Sequence, residues 1–123
     1  MPEEPMRILV VDDDTFTAEL TGLVLESSGY EAVVAEGGLD ALERLAADPG
    51  LRLVVSDMHM PVLNGAELFQ EMRRQNLTQP FVLLTGQDAG GLRRDNPDMD
   101  AVLQKDETFQ ETLPELVKAI LSR

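Results

Sequence analysis

Short apolar runs alternate with longer stretches of helical spacing along this chain, and four of the runs end on a polar residue of a different chemical kind. Leu9-Val10-Val11 stops at Asp12-Asp13-Asp14, Leu53-Val54-Val55-Ser56 at Asp57, Phe81-Val82-Leu83-Leu84 at Thr85, and Ala101-Val102-Leu103-Gln104 at Lys105. Apolar runs without polar alternation read as strands covered on both faces, as in a parallel sheet with helices above and below. Parallel strands all end on one side. The acids, the hydroxyl and the amine are therefore expected together at the carboxyl edge of an α/β sheet, where open folds of this kind bind their ligands.

Residues 1–5 read as a short tail carrying Pro2 and Pro5, followed by a first strand from Arg7 to Val11. Phe16, Leu20, Leu23, Val24 and Ser27 recur at helical spacing and predict a helix with an apolar stripe, stopped at Gly29. A second strand is expected over Glu31–Ala35. Leu39, Leu42, Leu45 and Ala46 mark a second helix beginning at Gly38 and ending at Asp48-Pro49-Gly50, because proline cannot continue it. The third strand is Arg52–Ser56. After the loop Met58-His59-Met60-Pro61, a third helix starts near Asn64 with Leu68, Phe69 and Met72 on its apolar side.

The fourth strand, Phe81–Leu84, leads into residues 86–100, which hold Gly90, Gly91 and Pro97 and predict at most a short helix. A short fifth strand follows. Thr112 with Glu115 three residues on reads as a capping box that opens the last helix, with Pro114 in its first turn and Leu113, Leu116, Val117, Ile120 and Leu121 as its buried stripe. One domain over residues 6–123 accounts for the whole pattern.

Composition narrows the partners. Ten Lys and Arg against 23 Asp and Glu give a formal charge of −13, which disfavours direct contact with nucleic acid or an anionic membrane and favours a cation or a basic surface. There is no cysteine, hence no disulfide or thiolate metal site. No apolar stretch nears the ~20 residues of a membrane span, and the start lacks the character of a signal peptide. A cytoplasmic location is expected.

Taken in order, ILVVDDD, VVSDMHMPVLNG, LLTG and Lys105 resemble the response-regulator receiver domain of two-component signalling, over almost the whole chain. The resemblance implies a flavodoxin-like, doubly wound, five-stranded parallel sheet of strand order 2-1-3-4-5 with helices on both faces. It implies Asp57 as phosphoacceptor and Mg²⁺ as cofactor, bound by Asp13, Asp57 and the backbone carbonyl of His59, with Asp12 acting through a water. Lys105 would hold Asp57 and then a phosphoryl oxygen; Thr85 and the backbone N–H of Gly86 would donate to the others. The implied donor is a histidine kinase or histidine phosphotransfer protein, and phosphorylation would switch binding of a downstream protein by a stand-alone module that is not otherwise an enzyme.

The chain departs from the family at Asp106, where proline usually follows the lysine, and at Val102, where an aromatic switch residue usually stands. Its fourth helix is expected to be short or irregular. Asp14 is read as a helix cap. His59, the only histidine, is expected to face solvent, and Arg73-Arg74 and Arg93-Arg94 to be solvated. A degenerate receiver that binds its partner without phosphate is the alternative. A haloacid-dehalogenase-like phosphatase, suggested by the three aspartates, is disfavoured because Phe16 stands where that family has Thr or Val.

Overall fold

The structure, a computed structural model, describes residues 5–123, so the expected tail lies outside the described residues except for Pro5. Five strands, β1 (Arg7–Val11), β2 (Glu31–Ala35), β3 (Leu51–Asp57), β4 (Phe81–Thr85) and β5 (Ala101–Gln104), alternate with five helices. The helices are α1 (Thr15–Glu26), α2 (Gly38–Ala47), α3 (Gly65–Arg74), α4 (Ala89–Asp95) and α5 (Phe109–Leu121). All strands pair in parallel in the order 2-1-3-4-5, as the resemblance implies.

Strand alternation divides the core in two. Leu9, Val11, Val54, Phe81 and Leu83 pack against Ala41 and Leu45 of α2 and Leu68, Phe69 and Met72 of α3. Ile8, Val10, Val55, Val82 and Leu84 pack against Ala18 and Leu25 of α1 and Leu113, Val117 and Ile120 of α5. Both faces of each central strand are covered, which is why the runs show no polar alternation. Each such aliphatic side chain contributes about 1.5–3 kcal/mol on burial.

Register sets the level at which the polar strand ends emerge. Val11 lies opposite Ser56, Asp57 opposite Leu84, and Thr85 opposite Gln104. Asp12 and Asp57 are thus level on neighbouring strands, with Thr85 and Lys105 displaced progressively further out.

Three readings of the helices need correction. On α1 the bulky stripe faces outward: Phe16 is 69% exposed, Leu20 44% and Leu23 61%, while Ala18, Thr21, Gly22 and Leu25 are buried. The helix carries two apolar phases on opposite faces. Small residues win the inner one because α1 lies tight on β2, where a Cβ on Gly22 would stand 3.3 Å from that of Ala32. On α2, Leu39 is likewise exposed, and Gly38, Ala41 and Leu45 are buried.

The last helix starts earlier than Thr112. Thr108 occupies the N-cap position, its carbonyl accepts from the N–H of Thr112, and Asp106 accepts from both the N–H and the hydroxyl of Thr108. Pro114 therefore lies inside α5, where its missing N–H leaves one helical hydrogen bond unmade. The capping box is found instead at α3, where Asn64 and Glu67 bond reciprocally to each other's backbone N–H. Arg73 is also not merely solvated: its guanidinium stands 4.7 Å over the Phe69 ring and donates to the carbonyls of Leu77 and Gln79. Arg93 donates to the carbonyl of Met99.

The segment expected to be irregular forms α4, seven residues long with none buried. Asp88 caps it from a left-handed conformation, accepting from the N–H of Gly91.

Candidate functional site

Asp12 follows the last residue of β1 and is almost buried, whereas Asp13 is exposed and Asp57 lies between them in exposure. Their position is fixed by backbone bonds. The Asp12 N–H donates to the carbonyl of Ala35, and the N–H of Asp14 donates to Asp12 Oδ1 at 2.9 Å. Asp14 itself accepts from the N–H of Thr17 and caps α1, as expected. One oxygen from each of Asp12, Asp13 and Asp57 lies within 4.8 Å of the others.

The lysine at the end of β5 reaches into this cluster. Lys105 Nζ stands 2.5 Å from Asp57 Oδ1 and 3.8 Å from Asp12 Oδ2. The other Asp57 oxygen, Oδ2, accepts from the backbone N–H of His59 at 3.1 Å. Both oxygens are engaged, so the carboxylate is held in one orientation. That donor is a backbone group, which no side-chain pattern announces.

The loop after Asp57 is held against the sheet by two bonds, from the N–H of Met58 to the carbonyl of Leu84 and from the N–H of Gly65 to the carbonyl of Met58. Gly65 has to be glycine. A Cβ there would stand 2.5 Å from Leu83 Cδ1 and 2.6 Å from the Asp57 carbonyl oxygen. His59 is exposed, as expected, and Gly86 is exposed with open space around it.

Thr85 is brought to the same edge but turned elsewhere. Its buried hydroxyl donates to the carbonyl of Gln87 at 2.7 Å and accepts from the Gln87 N–H at 3.3 Å. Gln87 was not singled out in the sequence, and a surface glutamine gives no signal that would have done so.

Electrostatics show what the cluster lacks. Burial raises the pKa of Asp12 above its ordinary value of 3.8; the Asp14 N–H opposes this, the charge of Asp57 adds to it, and Lys105 offsets part. Three carboxylates against one ammonium leave a negative excess. Carboxylate oxygens suit a hard divalent cation such as Mg²⁺, and this donor set fits one.

The chain belongs to the response regulator receiver domain family, whose model matches residues 8–118. Receiver domains of this family serve two-component systems. The transcriptional regulatory protein CpxR homolog of Haemophilus influenzae is 34% identical across 95% of this chain and 51% of its own length. The transcriptional regulatory protein GlrR of Escherichia coli is 38% identical over 85 residues, 69% of this chain and 19% of that protein. The chain thus spans about half or less of the length of these curated relatives. Among solved structures, the response regulator TrrA of Thermotoga maritima, in complex with Mg²⁺ and BeF, superposes with a TM-score of 0.82 at 33% identity, covering 93% of this chain and 97% of that one. The receiver domain of the Francisella response regulator 1452 gives 0.85 at 26% identity, covering 95% and 97%. No helix among the described residues is long and apolar enough to cross a membrane.

Proposed function

We propose that this receiver domain accepts a phosphoryl group on Asp57 from a phosphohistidine of a kinase or phosphotransfer protein, and that the modification alters binding of a downstream partner. The observation that carries the proposal is the clamped Asp57 carboxylate, with Lys105 on one oxygen, the His59 N–H on the other, and Asp12 and Asp13 within reach. In the transfer, a bond forms between an Asp57 oxygen and phosphorus while the phosphorus–nitrogen bond breaks, its electron pair leaving with the imidazole. Positioning and charge stabilisation supply most of the catalysis in such a step.

Asp13, Asp57 and the His59 carbonyl would hold Mg²⁺, with Asp12 acting through water, and the ion when bound offsets the charge of phosphoryl oxygens approaching a carboxylate. Lys105 holds Asp57 before transfer and a phosphoryl oxygen afterwards. The Gly86 N–H and the Thr85 hydroxyl donate to the remaining oxygens, and Thr85 must first release the Gln87 carbonyl. The exposed Phe16 and the groove between α1 and α5, lined by Leu20, Val24, Phe109 and Lys105, give a helix-bearing donor an apolar seat beside the acids.

The curated relatives carry transcriptional names, and the reading that this segment itself avoids nucleic acid rests on its charge of −13. The alternative of a phosphate-independent receiver gains nothing here, since Asp12, Asp13, Asp57 and Lys105 form one cluster. Incubation with phosphoramidate followed by intact-mass measurement tests the proposal. A single phosphoryl adduct is expected, absent from Asp57→Asn and absent when metal is chelated; an adduct on Asp57→Asn would overturn it.

A further inference from the structure

The outer edge of β2 is the part of the sheet that the phosphoryl site does not use. Among the described residues β2 terminates the sheet, with β1 on one side only. The Glu31 N–H donates to the carbonyl of Met6, and the Ala35 carbonyl accepts from the N–H of Asp12, so residues 31, 33 and 35 turn their backbone groups toward β1. Backbone groups alternate sides along a strand, which leaves those of Ala32 and Val34 directed outward.

Beside that edge runs a groove lined by Gly22, Leu23, Ala32 and Val34, with Glu19 and Glu26 on its rim. Glu31 and Glu36, both exposed, stand at the two ends of the strand. Among the described residues none that lines the groove is basic. A second copy of this acidic chain laid along the edge would set glutamates against glutamates, which destabilises a strand pair. A basic strand would meet an apolar floor and four opposite charges.

We propose that the β2 edge and the α1 groove dock an extended basic segment of a partner protein by strand addition. The segment's backbone pairs with Ala32 and Val34, an apolar side chain on its α1-facing side covers Leu23 and Val34, Lys or Arg two residues before and after it on the same side reach Glu19 and Glu26, and basic residues at its two ends lie against Glu31 and Glu36. This surface is separate from Asp57, and its occupancy does not depend on phosphorylation.

The test uses the full chain with Mg²⁺ present and a synthetic peptide of about eight residues with lysine, valine and lysine at alternate positions on one face, threonine between them and lysine at both ends. Two-dimensional amide spectra are expected to shift at Gly22, Leu23 and residues 31–35, equally in wild type and Asp57→Asn. Glu19→Lys combined with Glu26→Lys, both at exposed positions and with unchanged folding to be verified by circular dichroism, should weaken binding about tenfold. Methylating alternate peptide nitrogens should weaken it at least as much, because the strand pairing is lost. Shifts centred on Asp12, Asp13 and Asp57, equal binding of the methylated peptide, or no binding at all would each overturn the proposal.

Discussion

The two halves of the carboxyl edge are built differently. Around β1 and β3, Asp12 and Asp57 extend from strands buried on both faces and are tied by the Asp14 N–H, the His59 N–H and Lys105. At the end of β4 the Thr85 hydroxyl bonds only to the backbone of Gln87, and the following α4 has seven residues and no buried side chain. The first half is preorganised to bind charge, while the second has little packing to hold it in one state. The difference teaches that one sheet edge can join a tightly tied charge cluster to a segment of low local stability; on the proposed function, the first would receive the phosphoryl group and the second would respond.

The largest effect should come from Lys105, the one ammonium among the described residues that touches the acids. Lys105→Met removes the contact to Asp57 and should slow phosphoramidate labelling by about 10²-fold, the usual cost of losing one preorganised donor. Labelling within a few-fold of wild type would show that the clamp is not part of the site. Next is Gly65→Ala, which drives a methyl group into Leu83 and the Asp57 carbonyl and should cost about 1–3 kcal/mol in urea unfolding, because neither neighbour can retreat.

Cation binding should stabilise the first half specifically. At 100 times its dissociation constant, Mg²⁺ adds about 2.7 kcal/mol by mass action, and Asp13→Asn should lose most of the resulting rise in melting temperature. An undiminished rise would place the ion elsewhere. The raised pKa of Asp12 adds a pH dependence with a definite sign. Between 3.8 and the higher folded value Asp12 holds more proton in the native state than in the unfolded chain, so its own contribution to stability without metal falls as pH rises through that window. The wild-type minus Asp12→Asn difference in unfolding free energy, measured across pH, isolates this contribution and should fall; a difference that rises would contradict the burial of Asp12.

Much of this was legible in the sequence. Strand ends could be read because doubly covered strands lack alternation, and the residues closing them differ in chemistry. The inner face of α1 could not, since Ala18 and Gly22 act by being small and leave no hydrophobic signal, while Phe16 and Leu23 advertise the wrong face. Thr112 and Glu115 made a false start for α5 because the sequence pattern of a capping box also occurs inside helices; the operative cap is Thr108 supported by Asp106. The His59 N–H on Asp57 and the Gln87 carbonyl on Thr85 are backbone partners, invisible to residue type. The smallest predicted effect follows from α1: Phe16→Ser should change stability by no more than about 0.5 kcal/mol, as for other surface positions, where an inward-facing Phe would cost ~3–5 kcal/mol on truncation.

Amide hydrogen exchange with and without Mg²⁺ and beryllofluoride tests the division between the two halves most directly. Residues 86–95 should be weakly protected at first and gain protection on activation, while the ends of β1 and β3 stay protected throughout and Asp57→Asn shows no gain. Strong protection across 86–95 before activation, or a gain confined to β1 and β3, would contradict the account.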